Sequence, residues 1–310
     1  MQKISPCLWF DDNCEEAVNF YTSVFPNSRI DSIQRYPDGM QEGPMKGMDG
    51  KILTAVFELD GLAFQALDGG PMFKMNPSVS FMVNFDPSRD PEAAAHLDAL
   101  WEKLAEGGTA LMALGEYPFS KRYGWIQDRF GVSWQFILTD PEGEPRQSVI
   151  PSLLFVGDVC GKAEEALNHY VSIFKDSRMG TVAKYPAGME PDKEGTAMFA
   201  EAMLAGQWIV AMDSAHTHEF SFSEAVSFSV ECADQAEVDY FWKKLTDGGS
   251  ESMCGWLKDK YGVSWQVVPK RLGELMLDPD KEKVARVTAA LMEMRKFDIA
   301  ALERAAAGEA

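Results

Sequence analysis

Gly124-Trp125-Ile126-Gln127-Asp128-Arg129-Phe130-Gly131-Val132-Ser133-Trp134-Gln135 is answered further along the chain by Gly255-Trp256-Leu257-Lys258-Asp259-Lys260-Tyr261-Gly262-Val263-Ser264-Trp265-Gln266. Eight of the twelve positions are identical. Each copy reads as a short strand, an Asp-x-x-Gly turn and a second strand. The turn aspartate is explained by a carboxylate that bonds its own backbone, so neither Asp128 nor Asp259 needs a catalytic role. A self-similar stretch this long makes an internal repeat the first thing to test.

Working outward, the echo continues in order. Glu16-Ala17-Val18-Asn19-Phe20-Tyr21 returns as Glu165-Ala166-Leu167-Asn168-His169-Tyr170, and Phe25 with Ser28-Arg29 returns as Phe174 with Ser177-Arg178. Tyr36-Pro37-Asp38-Gly39-Met40 matches Tyr185-Pro186-Ala187-Gly188-Met189, and Val79-Ser80-Phe81 matches Val226-Ser227-Phe228. Trp101-Glu102-Lys103-Leu104 before Gly107-Gly108 matches Trp242-Lys243-Lys244-Leu245 before Gly248-Gly249. Thr139-Asp140-Pro141-Glu142-Gly143-Glu144-Pro145 is rich in turn formers and marks the seam. The expected division is therefore 1–145, 146–275 and a tail, 276–310.

Each copy has two halves. Residues 4–10 form an apolar run, and Ala17, Phe20, Tyr21, Val24 and Phe25 follow at helical spacing. Ile52 to Leu59 and Leu62 to Leu67 flank Asp60-Gly61, a hairpin signal because type I′ turns need positive φ. The second half opens with Val79 to Phe85. Its helix carries Leu97, Leu100, Trp101 and Leu104, with Asp90 as cap and Pro91 at the first position. The corresponding helix in copy two carries Val238, Phe241, Trp242 and Leu245, with Asp234 and Glu237 as a capping box. The Gly-Gly pairs end both helices. Strands near 109–114, 125–127 and 132–138 complete a βαβββ-βαβββ pattern, an α+β class. In the tail, Val284, Val287, Leu291 and Met294 share a helical face after Asp278-Pro279-Asp280, and Asp298 caps a second helix through Leu302.

Composition bounds the function. At 310 residues the chain has room for two cores. With 46% hydrophobic and 25% charged residues it is not a disordered chain, and no apolar run approaches the roughly 20 residues of a membrane span. A net charge of −19 without a basic stripe argues against nucleic acid. The start lacks a secretory signal pattern, and Cys7, Cys14, Cys160, Cys232 and Cys254 have neither zinc nor redox spacing, so a cytoplasmic protein with reduced thiols is expected.

Ser5-Pro6-Cys7-Leu8-Trp9-Phe10-Asp11, Val24-Phe25-Pro26-Asn27-Ser28-Arg29, Leu67-Asp68-Gly69-Gly70-Pro71, the Cys254 to Gln266 phrase and Asp278-Pro279-Asp280 are similar to PhnB-like proteins of the vicinal-oxygen-chelate superfamily. That superfamily includes glyoxalase I, extradiol dioxygenases and bleomycin-binding proteins, and the PhnB-like branch carries the label 3-demethylubiquinone-9 3-methyltransferase. The resemblance covers nearly the whole chain and implies tandem domains, each of two βαβββ modules forming a cupped mixed sheet. It also implies a pseudo-dimer within one chain, with higher oligomers open. The Gly-x-Gly-x-Gly strand–turn–helix expected of a cofactor-binding methyltransferase is absent from the sequence.

Metal-dependent relatives place ligands on the first and last strands of each half. The resemblance maps those positions to Pro6, Gln65, Val79 and Gln135 in copy one and to Pro151, Val210, Val226 and Gln266 in copy two. Such residues do not make a transition-metal site, so no metal and no cofactor are expected. What remains is an apolar cup. Strand alternation is read as placing Leu8, Phe10, Phe81, Val83, Ser133, Phe155, Phe228 and Ser264 on the cup face, and Trp9, Trp134 and Trp265 in the core. Phe10, Gln65, Phe81, Gln135, Phe155, Phe228 and Gln266 are the candidate ligand-binding residues.

The expected function is binding of a small apolar or aromatic molecule without the usual metal. The alternatives are a metal-dependent lyase, transferase or dioxygenase using His216, His218, Glu219 or Gln65, and, last, the methyltransferase of the label. Cys254, which stands where copy one has Tyr123, reads as an inert thiol rather than a nucleophile. His169 reads as a core residue. The two copies are not equivalent, and copy one is the favoured site.

Overall fold

A computed structural model describes residues 2–36 and 47–309. The Pro37–Met40 part of the repeat lies outside the described residues. The chain divides into two units, Pro6–Val226 and Met1–Ser5 with Ser227–Ala310.

The large unit begins with β1 (Ile4–Phe10), which belongs to it from Pro6 onward, followed by α1 (Cys14–Val24), β2 (Arg29–Arg35), β3 (Ile52–Leu59) and β4 (Leu62–Asp68). β1 runs parallel to β4, which pairs with β3, which pairs with β2. The β3–β4 reversal is the tight turn expected, with Asp60 at φ +44° and Gly61 at φ +91°. The second module repeats the pattern with β5 (Val79–Phe85), α2 (Ala93–Ala105), β6 (Thr109–Tyr117), β7 (Ser120–Gln127) and β8 (Ser133–Leu138). α2 starts later than expected. Asp90 bonds the Glu92 amide in a preceding turn instead of capping the helix itself.

The third module, β9 (Val149–Phe155), α3 (Ala163–Ile173), β10 (Arg178–Lys184), β11 (Ala197–Leu204) and β12 (Gln207–Asp213), opens copy two. β9 pairs antiparallel with β5, across the seam. The result is one eight-stranded mixed sheet in the order β10-β11-β12-β9-β5-β8-β7-β6. Its two halves come from different copies, so its cup is shared between them. Gln135 and Val79 lie on this sheet, whereas Pro6 and Gln65 lie on a different one, so the grouping of the four as one site is corrected.

The core lies on the helix-facing side of this sheet. Phe81 meets Phe64 at 4.9 Å and Trp134 at 5.4 Å, and Trp134 also meets Tyr21 and Phe25. Each fully buried aromatic of this kind contributes about 1.5–3 kcal/mol by leaving water. Asp128 is buried among them and accepts four bonds, from the Phe130 and Val132 amides, the Tyr21 hydroxyl and the Trp134 indole. Burial raises its carboxyl above the usual range even against those donors. This is a structural staple, as the turn chemistry implies.

The small unit holds β13 (Val226–Cys232) from Ser227 onward, α4 (Gln235–Leu245), β14 (Ser250–Glu251), β15 (Trp256–Lys258) and β16 (Ser264–Pro269). β13 and β16 are parallel, and β15 and β14 follow antiparallel. Asp234 caps α4 by accepting from the Glu237 amide, and the Glu237 carboxylate accepts from the Ala233 amide. Asp259 repeats the staple with the Tyr261 and Val263 amides and the Trp265 indole. The tail forms α5 (Lys270–Met276), α6 (Lys281–Met292) and α7 (Ile299–Ala307), with Asp280 and Asp298 as side-chain caps. Leu272, Leu275, Val287, Phe297 and Leu302 make its core. Among the described residues no helix is long and apolar enough to cross a membrane.

Candidate functional site

Cross-strand partners share a face of a sheet, so the register fixes which side chains enter the cup. In the eight-stranded sheet, Gln127 faces Ser133, Ser133 faces Ser80, Ser80 faces Ser152, Ser152 faces Val210 and Val210 faces Glu201. The next row runs Trp125, Gln135, Met82 and Ile150. Phe81 pairs with Trp134, one residue out of phase with Gln135, and therefore belongs to the helix-facing core.

The same parity corrects several expectations. Val83 follows Phe81. Pro151 pairs with Phe81, and Phe155 lies three residues from Ser152, so both are on the core side. Phe10 and Leu8 alternate against Cys7, which pairs with Gln65, while Trp9 shares the face of Gln65 and bonds the Gly70 carbonyl. In the small unit Phe228 pairs with the core residue Trp265. The residues that point inward beside the expected Pro151, Val79 and Val226 are Ser152, Ser80 and Ser227. Gln135 shares a face with Ser133, as Gln266 does with Ser264, while Trp134 and Trp265 lie in the core. Gln65 lies on a different sheet from Gln135, and Gln266 lies in the small unit, where it donates to the Ser227 hydroxyl.

Gln135 is the hub of the cup. Its Oε1 accepts from the Tyr123 hydroxyl at 2.7 Å, and its Nε2 donates to Ser80 at 2.8 Å and more weakly to Ser152 at 3.4 Å. The Trp125 indole donates to Ser133 at 2.7 Å. Burial, and then the neighbouring Tyr117, push the Tyr123 phenol well above its ordinary pKa, so it stays protonated and donates. Beside this network lie Met82, Ile150, Trp208 and Val210, all buried. Ile137, Phe199, Met203 and Met212 pack on them and are only partly buried, so this face of the sheet carries an apolar surface that is in part accessible.

At the far edge Glu201 is 5% exposed and is held by Arg146 from the seam, with N–O 2.6 Å. Burial alone would raise its carboxyl, but the Arg146 guanidinium and the Thr181 amide hold it below the usual carboxylate range. Arg146 also lies 4.1 Å over the Trp208 ring. An isolated buried carboxylate would be strongly unfavourable, so this pair explains how Glu201 is tolerated.

The positions that would hold a metal on the first and last strands of the two modules are Ser80, Gln135, Ser152 and Val210. Two hydroxyls, an amide and an isopropyl group do not fit a divalent transition metal, which needs imidazole, carboxylate or thiolate ligands. The other candidates do not converge. His218 shares a hydrogen bond with Ser214, and His216 lies 3.5 Å from Asp192. Among the described residues no three His, Cys, Asp or Glu side chains form a metal-holding group. Cys254 donates to the Leu291 carbonyl, and His169 is half-buried beside Tyr170.

Sequence reasoning missed Ser80, Ser152, Met82, Ile150, Trp208 and Glu201. One signal was available. Trp134 and Gln135 must point to opposite faces, and only one of them can accompany Phe81.

The sequence profile named 3-demethylubiquinone-9 3-methyltransferase matches residues 2–137 and 147–268, most of the chain. The chain belongs to that family. The Escherichia coli protein YjdN is 28% identical over 144 residues, 42% of this chain and 91% of the relative. A PhnB protein from Bacillus cereus is 41% identical and is covered in full by 44% of this chain, with a TM-score of 0.39. Glyoxalase I from Zea mays matches 89% of this chain and 98% of its own at 14% identity and TM-score 0.52, a likeness of fold alone. The family and this fold together make the chain a PhnB-like member of the vicinal-oxygen-chelate superfamily with tandem domains and a helical tail.

Proposed function

We propose that the concave face of the eight-stranded sheet binds a small apolar or aromatic molecule without a resident metal, in a cytoplasmic protein. The observation that carries this reading is the partly exposed apolar wall of Ile137, Phe199, Met203 and Met212 over a buried aromatic and aliphatic floor. Thioether side chains adapt to ligand shape, and a concave apolar face with a few fixed polar groups suits small-molecule recognition. The division at 1–145, 146–275 and 276–310 is supported by the two stretches that match the family. Methyl transfer, which the family name suggests, is disfavoured by the missing Gly-rich turn, and calorimetry with S-adenosylmethionine is expected to give no binding heat.

The test is a thermal-shift screen of neutral planar aromatics, because a ligand that binds only the native state raises the melting temperature by mass action. Stabilisation is expected in the parent and is expected to be lost in Met212→Lys, which puts a charge on the wall. No stabilisation by any compound, or stabilisation unaffected by Met212→Lys, would overturn the reading. So would stoichiometric zinc, nickel, iron or manganese that survives dialysis.

A further inference from the structure

The β6–β7 hairpin places an aromatic trio beside this network. Phe119, in the turn, is 61% exposed, yet its ring meets Tyr123 edge-on at 4.9 Å and stacks on Tyr117 at 5.7 Å. Tyr117 in turn meets Tyr123 at 5.5 Å. Tyr123 is itself only 5% exposed, and it pairs with Ile137 across β7 and β8, so its strand position lies beside the partly buried part of the wall. A lone exposed ring needs no functional explanation, but here three aromatic rings contact one another at the tip of one hairpin and form a contiguous apolar patch.

The hydrogen-bonding capacity of Tyr123 narrows the ligand. Its single proton is donated to Gln135, so the phenol oxygen has only acceptor capacity left. The ionised groups at the far edge are paired, Glu201 with Arg146 and Arg178 with Glu144. A charged ligand would find no unpaired partner among those groups.

We infer that Tyr117, Phe119 and Tyr123 form the recognition end of the site, selecting a neutral planar aromatic that carries an O–H or N–H donor. The ring lies against Phe119, and the donor reaches the Tyr123 oxygen. This inference rests on the concave-face reading and specifies its ligand class.

Calorimetric titration of the full chain with 2-naphthol, 2-methoxynaphthalene and 2-naphthoate at neutral pH tests it. 2-Naphthol is expected to bind roughly tenfold more tightly than 2-methoxynaphthalene, which has no donor, and 2-naphthoate more weakly than 2-naphthol. Tyr123→Phe is expected to bring the first ratio to about one, the value without the acceptor. Phe119→Ala, at an exposed position that leaves folding intact, is expected to weaken both neutral compounds roughly three- to tenfold. If the methoxy compound binds the parent as tightly as the naphthol, or if Tyr123→Phe keeps the preference, the inference is overturned while the concave-face reading stands. If none of the three compounds binds, the inference is overturned, and the thermal-shift screen decides the concave-face reading separately. Should Tyr123→Phe not fold, the naphthol-to-methoxy ratio in the parent and the Phe119→Ala loss decide the matter.

Discussion

The same motif ends one sheet in an open hairpin and another in a stub sealed by the tail. β6 and β7 run nine and eight residues, whereas β14 and β15 run two and three. Ten residues fewer separate Gly249 from Gly255 than separate Gly108 from Gly124, too few to build the longer hairpin. In the hairpin Tyr123 pairs with Gly115. In the small unit the equivalent Cys254 and the following Gly255 donate their amides to the Met294 and Arg295 carbonyls, each at 2.7 Å. The tail thus supplies the acceptors that a neighbouring strand supplies in copy one. An edge with unpaired backbone invites aggregation, and closing it with a helical tail is one way to blunt it. The copy with the longer hairpin is also the one with an exposed ring at its tip.

If the tail is a structural closure and the hairpin tip a recognition element, the two respond to truncation in opposite ways. Phe297 is 2% exposed and belongs to the tail core. Phe297→Ala is expected to cost about 3–5 kcal/mol in chemical denaturation, through lost burial and the cavity left behind. Phe119→Ala is expected to stay within about 0.5 kcal/mol, as at other exposed positions. Equal costs would break the comparison.

The paired glycines should rank the two edges next. A Cβ on Gly255 would stand 2.5 Å from the Phe297 ring and 2.9 Å from the Val267 carbonyl, at φ +80°. Gly255→Ala is expected to cost about 2–4 kcal/mol, from positive φ and overpacking together. A Cβ on Gly124 would meet the Trp101 ring at 2.6 Å and the Leu114 Cα at 3.1 Å, without a positive φ. Gly124→Ala is therefore expected to cost less, about 1–3 kcal/mol, by the same denaturation measurement. A reversed order would mean that the tail yields more easily than Trp101.

Much of this was legible in the chain. The repeat announced four βαβββ modules, Asp60-Gly61 announced its turn, Asp234 and Asp298 cap the helices they were expected to cap, and Asp280 of the start signal caps the helix after it. The inward phase of the central strands was not legible. Val79-Ser80-Phe81-Met82-Val83 and Val149 to Phe155 are buried at every position, so neither burial nor a polar alternation marks one face of these strands. The partnership of β5 with β9 was hidden as well, since a strand carries no mark of its neighbour across a seam. Nor does the spacing of Val284, Val287 and Leu291 tell that the chain just beyond them completes a shortened edge.

The hubs of the two glutamines offer a smaller contrast. Gln135→Leu leaves the Tyr123 hydroxyl without its acceptor and two serine oxygens without their donor, and is expected to cost about 1–3 kcal/mol. Gln266 has the Ser227 hydroxyl as its side-chain partner, and Gln266→Leu is expected to cost about 1 kcal/mol. Parallel melts of the two variants check the order. If Gln266→Leu proves the more damaging, the polar hub does not belong to the large-unit cup alone.

The finest probe is the thiol that replaced Tyr123. Cys254 is half-buried under the tail, and burial pushes its pKa above the ordinary thiol value. Its folded pKa therefore exceeds the unfolded one, near about 8.5. Its contribution to stability is fully present below that unfolded value and is lost as pH rises through the folded value. Peptide-resolved alkylation with iodoacetamide should find native Cys254 slower than the same residue in denatured chain at every pH between neutral and mildly alkaline. The gap should narrow as the solution becomes alkaline, and Phe297→Ala should close most of it at neutral pH. Labelling as fast in the native protein as in the denatured one would mean that the tail does not cover the shortened edge, and the contrast with the open hairpin would then rest on strand length alone.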